Sequence, residues 1–208
     1  MCIRDRFTDP LNMSSVELVS TRRFMLSDEK VLKREIVEIA KQVQAEETPE
    51  VERKVPFPQA DDFERVIDIT EFVSTEPRSS EDISSNYEFH PRQADYYFSA
   101  ARYLGVGEIV RGSDGVNYRQ ITKLGESIIK LPYAAKRKEF AKLLLGIPAV
   151  REIYMLRIEH GVLADMAEAE RVVSETSRHE GISGSTVYRR AQTVMSWVRW
   201  LLSFDARG

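Results

Sequence analysis

The sequence predicts a mostly α-helical protein with one small β-hairpin, and three observations lead to this fold class. Apolar residues recur three or four positions apart over most of the chain, which is the period of an amphipathic helix. Residues 107–121 instead hold two short β-type runs around a turn cluster. The chain has 208 residues, 42% hydrophobic and 30% charged, which is typical of one or two folded domains. No run of about 18 apolar residues occurs, so we expect no membrane span and a cytoplasmic protein.

The stretch His90–Leu104 organises the rest of the chain. Pro91 suits the first turn of a helix, where its missing N–H would be unpaired in any case. A core-facing stripe at helical spacing follows, made of Ala94, Phe98, Ala101 and Leu104. The polar and aromatic residues near the start of the helix are Arg92, Gln93, Tyr96 and Tyr97, with Tyr97 shared between surface and core. In a recognition helix, this end contacts base edges in the major groove of DNA.

The elements around this helix predict a winged helix-turn-helix domain over residues 60–131. Residues 61–73 and 81–85 predict two shorter helices upstream, and Gly105 ends the recognition helix. Two strands and their turn follow, after which Thr122 is the expected N-cap of another helix. The predicted contacts with DNA from this region are Arg102 on the helix and Arg111 and Arg119 beside the wing. A winged helix used only for protein contacts is the alternative.

Residues 132–204 predict a second helix-turn-helix-like helical domain. Two helices lie within 134–160, a third covers 166–177, and Ser185 is the expected N-cap of a long final helix. This last helix repeats the first recognition helix, with a core stripe of Val187, Ala191, Val194 and Trp197. Its predicted DNA-contacting residues are Thr186, Arg189 and Arg190. Because no wing follows, a plain helical bundle is the alternative.

The N-terminal region predicts little of the binding function. Codons for residues 1–6 can match the transposon-end adapter used for sequencing libraries, so residues 1–12 are expected to be an artefact or disordered, with Met13 as a candidate start. Residues 13–59 predict a helix beginning near Ser27 and a proline-containing linker over 46–59. Residues 1–85 hold 12 Lys and Arg against 19 Asp and Glu, whereas residues 86–208 hold 18 against 14. The basic excess thus lies in the half that carries both candidate recognition helices.

The sequence predicts no catalytic or metal site. Glu52 and Lys54 have the Glu-x-Lys spacing of Mg²⁺-dependent restriction nucleases, and Asp28 precedes them, but the surrounding helix start and linker favour a solvated charge run. The three histidines show no spacing of metal ligands, and His90 is expected to cap a helix or to neighbour a phosphate. Cys2 is the only cysteine, which excludes an internal disulfide. We therefore expect no metal and no cofactor.

Two resemblances follow from longer motifs. Ala-Arg-Tyr-Leu-Gly-Val (101–106) and Tyr-Arg-Gln-Ile-Thr-Lys-Leu-Gly (118–125) resemble the recognition helix and wing of bacterial winged-helix DNA-binding domains. The span 55–204, with Pro-Arg-Gln-Ala-Asp-Tyr-Tyr (91–97) and Gly-Ser-Thr-Val-Tyr-Arg-Arg-Ala (184–191), resembles a module of bacterial restriction-modification proteins. This resemblance implies tandem helix-turn-helix domains that bind or sense DNA, sometimes beside a nuclease domain.

The predicted function is non-catalytic binding of double-stranded DNA in a restriction-modification or defence setting. A nuclease or methyltransferase is the expected further partner. One alternative is the DNA-recognition part of a truncated type II restriction endonuclease. Another is a winged-helix scaffold for protein partners, which an exposed apolar face around Trp197 and Trp200 would indicate.

Overall fold

The computed structural model of the protein describes residues 34–43, 55–177 and 184–204. Several predictions lie outside the described residues: the artefact over 1–12, the start at Met13, the helix start near Ser27, and the carboxylates Asp28 and Glu52 with Lys54. In the described ranges, no helix combines the length and the apolar character that crossing a membrane requires.

The described chain is mostly helical with one small antiparallel sheet, as predicted. Three helices lead to the sheet: α1 (Phe63–Val73), α2 (Ser80–Tyr87) and α3 (Pro91–Tyr103). The sheet consists of β1 (Gly107–Arg111) and β2 (Asn117–Ile121). Five helices follow: α4 (Lys123–Ile129), α5 (Tyr133–Leu145), α6 (Pro148–His160), α7 (Met166–Thr176) and α8 (Ser185–Ser203). Residues 34–43 form a further helical segment before α1.

Side-chain caps set where the helices begin. His90 caps α3, its Nδ1 accepting from the backbone N–H of Arg92 at 3.1 Å. Thr122 caps α4 as predicted, with its hydroxyl accepting from the N–H of Gly125 at 3.1 Å. The cap predicted for α8 is wrong. Ser185 is already the first residue of that helix, and the N-cap is Gly184, which has no side chain to accept a bond.

The two strands pair antiparallel in a register that joins Gly107 to Ile121 and Arg111 to Asn117. A bridge at Arg78, between α1 and α2, extends the ladder on the outer side of β2. The N–H of Arg78 donates to the carbonyl of Arg119 at 2.9 Å, and the N–H of Arg119 donates back at 2.7 Å. The hairpin is therefore fastened to the helices that precede it.

The core is continuous, and Trp197 of α8 is the largest of its fully buried side chains. Its indole N–H donates to the carbonyl of Ala60 at 2.7 Å. The predicted linker is described only from residue 55, where it packs into this core. Phe57 has its ring centroid 5.1 Å from that of Tyr103 and 5.5 Å from that of Trp197. The segment that precedes α1 thus covers one side of α8.

A polar cluster joins α1, α5 and α8. Arg137 donates through both terminal nitrogens to Oε1 of Glu64, at 2.6 and 2.5 Å. The indole N–H of Trp200 donates to the same oxygen at 2.7 Å. Because one carboxylate serves both partners, the cluster fixes the C-terminal helices against α1.

The helical segment over 34–43 also packs on the rest of the chain. Ile36 and Ala40 are fully buried. In addition, Nζ of Lys138 on α5 lies 2.8 Å from Oε2 of Glu35. The four-residue spacing of the two apolar residues is the helical stripe predicted for this region.

Candidate functional site

The beginnings of α3 and α8 lie on the two sides of one cleft, which has a volume of about 400 Å³. The part of α3 that lines it consists of Gln93, Tyr96 and Tyr97. The part of α8 consists of Arg189, Gln192 and Thr193. Gln59 and Asp61, from the segment before α1, complete the wall. Three residues predicted from two separate helices, Gln93, Tyr96 and Arg189, therefore line one cleft.

The first turn of α3 presents its polar groups in a fixed arrangement. The cap by His90 holds the backbone of this turn, and Arg92 and Gln93 are both exposed beyond it. The guanidinium carbon of Arg92 lies 5.5 Å from the centroid of the Tyr96 ring. A cation over an aromatic face is attracted by the ring quadrupole, which stabilises both side chains beside the cleft.

Tyr97 belongs partly to the core, as predicted. Its ring is half-buried and tilted against Phe89, with a centroid distance of 6.1 Å. Its hydroxyl donates to Oδ1 of Asp61 at 3.4 Å. The pKa of the Tyr97 phenol is raised, mainly by burial and secondly by the nearby negative charge of Asp61. Tyr97 is therefore a neutral hydrogen-bond donor at physiological pH and holds the wall of the cleft.

The structure places Arg119, which the sequence predicts to contact DNA beside the wing, inside the protein and not on its surface. Arg119 is only 9% exposed, because its side chain extends from β2 towards α3. Its Nη2 lies 2.6 Å from Oδ1 of Asp95 on α3, and its Nη1 donates to the carbonyl of Asn117 at 2.6 Å. Asp95 also accepts from the hydroxyl of Ser80 at 2.7 Å. The guanidinium therefore fastens β2 to α2 and α3 instead of reaching outwards.

The structure also buries Arg190, which the sequence predicts to contact DNA from α8. Arg190 is 8% exposed, and its guanidinium carbon lies 5.5 Å from the centroid of Phe57. It stands three positions after Val187 and four before Val194, both in the buried stripe. Residues at those spacings share one face of a helix, so Arg190 points towards the core. Arg189, one position earlier, is exposed in the cleft.

The remaining predicted contacts lie away from the cleft wall. Arg111 is exposed at the end of β1, and its Nη1 donates to Oδ1 of Asn117 at 3.2 Å across the hairpin. Arg102 is half-buried in the last turn of α3. Thr186 is exposed in the first turn of α8.

Two further features of the surface affect how a polyanion could bind. At the hairpin turn, Asp114 accepts from the Tyr118 hydroxyl at 2.7 Å and from the N–H of Val116 at 2.9 Å. Both hydrogen bonds lower the pKa of Asp114, and the bond from Tyr118 has the larger effect. The turn therefore carries a negative charge. On α2, Glu81 and Asp82 are exposed in the first turn. The hairpin turn and the first turn of α2 are therefore acidic parts of the surface.

Gln59, Asp61, Gln192 and Thr193 are cleft residues that the sequence did not identify. The helical pattern could have identified Gln192, because it follows Arg189 by three positions and so lies on the same face of the helix. No pattern identified Gln59 in the predicted linker or Asp61 at the start of the predicted helix 61–73, because only tertiary packing brings them beside α8. Over the described part of the chain, no three His, Cys, Asp or Glu side chains are grouped closely enough to hold a metal ion.

The comparisons with known proteins give a family and no activity. Residues 65–206 match the family described as Domain of unknown function (DUF7226). The match runs from within α1 to beyond Ser203, and so includes both helices that line the cleft. Comparison with curated proteins and with solved structures gave no match. Since more than half of the sequence is matched, the chain belongs to the DUF7226 family.

Proposed function

We propose that this protein binds duplex DNA without catalysis, through a winged helix over residues 60–131 and a second helix-turn-helix unit within 132–204. The observation that carries the proposal is the shared cleft. Two helices, each with a buried stripe and an exposed polar start, open onto the same surface. A single duplex lying across this surface can therefore meet both.

The element order supports the winged-helix assignment. A helix, a bridge at Arg78, two helices and a two-stranded hairpin succeed one another, with α3 against the hairpin. In a winged helix-turn-helix, the helix in the position of α3 enters the major groove. The hairpin turn at residues 112–116 is then the wing.

The helices α6, α7 and α8 make up the second unit, in which α8 has the role of recognition helix. Its stripe of Val187, Ala191, Val194 and Trp197 is buried in the same way as the stripe of α3. Of the three DNA contacts predicted on α8, Thr186 and Arg189 are exposed, whereas Arg190 is buried.

The surface residues divide into two roles. Arg92, Gln93 and Arg189 carry the donors and acceptors that read base edges, and Tyr96 offers an aromatic surface beside them. Arg102 and Arg111 are placed to contact phosphate, which positions a protein on DNA without reading its sequence. The restriction-modification or defence setting, with a nuclease or methyltransferase as partner, rests on the sequence resemblance.

Burial of the two tryptophans weighs against the scaffold alternative. Trp197 is fully buried and Trp200 is 7% exposed, so neither indole forms an apolar face for a protein partner. α8 therefore lacks the exposed apolar face around Trp197 and Trp200 that the scaffold alternative predicts.

Fluorescence anisotropy with a mixed-sequence duplex, titrated at several salt concentrations, tests the proposal. We expect affinity to fall steeply with salt, because each neutralised phosphate releases counterions. Arg92→Ala and Arg189→Ala are each expected to weaken binding by about 1–3 kcal/mol if the side chain reads a base, and by less if it contacts phosphate.

Arg199→Ala is the matched control, since Arg199 is an exposed arginine ten positions further along α8. Ten residues of helix span about 15 Å, which takes Arg199 away from the cleft. Absence of binding at low salt would overturn the proposal. Unchanged affinity in both the Arg92 and the Arg189 variants would remove the assigned interface.

A further inference from the structure

We infer that the cleft between α3 and α8 binds one nucleobase that is not stacked in a duplex. This inference rests on the proposed function and deepens it, because it names the group of the nucleic acid that the cleft receives. Three properties of the cleft support it: its size, its balance of charge, and the aromatic ring in its wall.

The size suits a small planar ligand. Pockets for small molecules and cofactors have volumes of roughly 300–1,000 Å³. The cleft, at about 400 Å³, falls at the lower end of that range. Such a volume admits a base with its sugar, whereas a paired duplex can only lie across the opening.

The charge balance favours a base over a phosphate. A phosphate offers acceptors alone and is repelled by a carboxylate. Asp61 stands in the wall with Arg189, the one cation among the lining residues, while Arg92 lies beside the cleft over the Tyr96 ring. The three amides Gln59, Gln93 and Gln192 each provide both a donor and an acceptor. Base edges present donors and acceptors side by side, and a carboxylate can accept from an exocyclic amine. The polar groups of the cleft therefore match a base edge.

Tyr96 provides the surface for stacking. Its ring lines the cleft and is half-buried, so one part of the aromatic surface remains accessible. Proteins that bind unpaired nucleotides stack bases on aromatic side chains and read their edges with hydrogen bonds. Tyr97, held by Asp61 and Phe89, instead keeps the wall in position.

The same chemistry can come from three sources: a base extruded from a duplex, a base in a single strand, or a free nucleotide. We would compare them by fluorescence anisotropy at one salt concentration. The labelled probes are a matched duplex, the same duplex with one bulged nucleotide, and a single strand of equal length. The four unlabelled nucleoside monophosphates serve as competitors.

The bulged duplex is expected to bind more tightly than the matched one, by about fivefold or more, as expected when one base gains an aromatic stacking partner. Tyr96→Leu and Gln192→Leu are expected to abolish this preference. Gln192 is exposed, so its variant remains informative if the half-buried Tyr96 variant does not fold. Tyr133→Leu is the control, because Tyr133 is 65% exposed on α5 and contributes nothing to the cleft.

Each outcome bears on the inference. Competition by a monophosphate identifies a free nucleotide as the ligand. Tighter binding of the single strand than of either duplex identifies a base in a single strand as the ligand. Equal affinity for the bulged and matched duplexes and the single strand, with no competition, overturns the inference and leaves duplex binding standing. Monophosphate binding that Gln192→Leu abolishes, measured by ligand-observed NMR in the absence of DNA binding, supports the cleft while the proposed function fails. No binding of any probe or monophosphate overturns both.

Discussion

The helices α3 and α8 share one sequence pattern and differ in how far the fold covers them. In α8, ten of the 19 residues are buried, whereas in α3 four of 13 are. The stripe residues of both helices are buried. They are Ala94, Phe98, Ala101 and Leu104 in the first case and Val187, Ala191, Val194 and Trp197 in the second. A periodic stripe therefore predicts which face turns to the core, and the neighbouring elements decide how much of the remaining surface stays exposed.

The neighbours of the two helices explain the difference. α3 contacts α1, α2 and the hairpin, which leave its N-terminal polar residues exposed. α8 contacts α1, α6 and α7, and the segment before α1 packs on its further side through Phe57. The polar surface of α8 is thus reduced to its first two turns and a few positions beyond them.

The largest expected effect is that of removing the central side chain of α8. Trp197→Ala is expected to lower the free energy of unfolding by about 3–5 kcal/mol, because it leaves a large cavity and an unpaired carbonyl at Ala60. Urea denaturation followed by circular dichroism measures the change. A loss below about 1 kcal/mol would contradict the full burial of Trp197 in the core.

The next effect concerns the polar contact that fastens α3 to the hairpin. Asp95→Ala is expected to lower the free energy of unfolding by about 1–3 kcal/mol, because it leaves the buried guanidinium of Arg119 without its carboxylate. A double-mutant cycle with Arg119→Met provides the control, and the two losses should be less than additive. Strict additivity would show that the two side chains do not interact.

The smallest difference separates two adjacent arginines of α8. Arg190→Ala is expected to lower the free energy of unfolding by about 1 kcal/mol or more, because it removes a side chain that packs on Phe57. Arg189→Ala is expected to change it by less than about 0.5 kcal/mol, because that side chain is exposed. Thermal unfolding of both variants measures the contrast. Equal losses would contradict the orientation of α8.

Most of the fold could be predicted because local chemistry determines it. The stripes of α3 and α8, the hairpin and the Thr122 cap depend on residues close together in the sequence. Arg119 and Arg190 were expected at the surface and are buried, because each packs against a distant residue, Asp95 of α3 and Phe57 respectively. The residue type alone did not reveal either neighbour.

Half of the cleft was predictable, and the other half was not. Gln93, Tyr96 and Arg189 follow from the helix patterns, since each is a polar or aromatic residue near a helix start. Gln59 and Asp61 enter the cleft because the non-periodic segment before α1 packs beside α8. Only the tertiary structure brings that segment and the two helices together.

The most direct test of the central claim is an NMR titration of the ¹⁵N-labelled protein with a short DNA duplex. The account predicts that the largest backbone amide shifts occur together in residues 92–97 and 185–193, the two helix starts that border the cleft. Amides around the exposed Tyr133 should remain unchanged. Shifts confined to one of the two helices, or located elsewhere on the surface, would contradict a shared binding face.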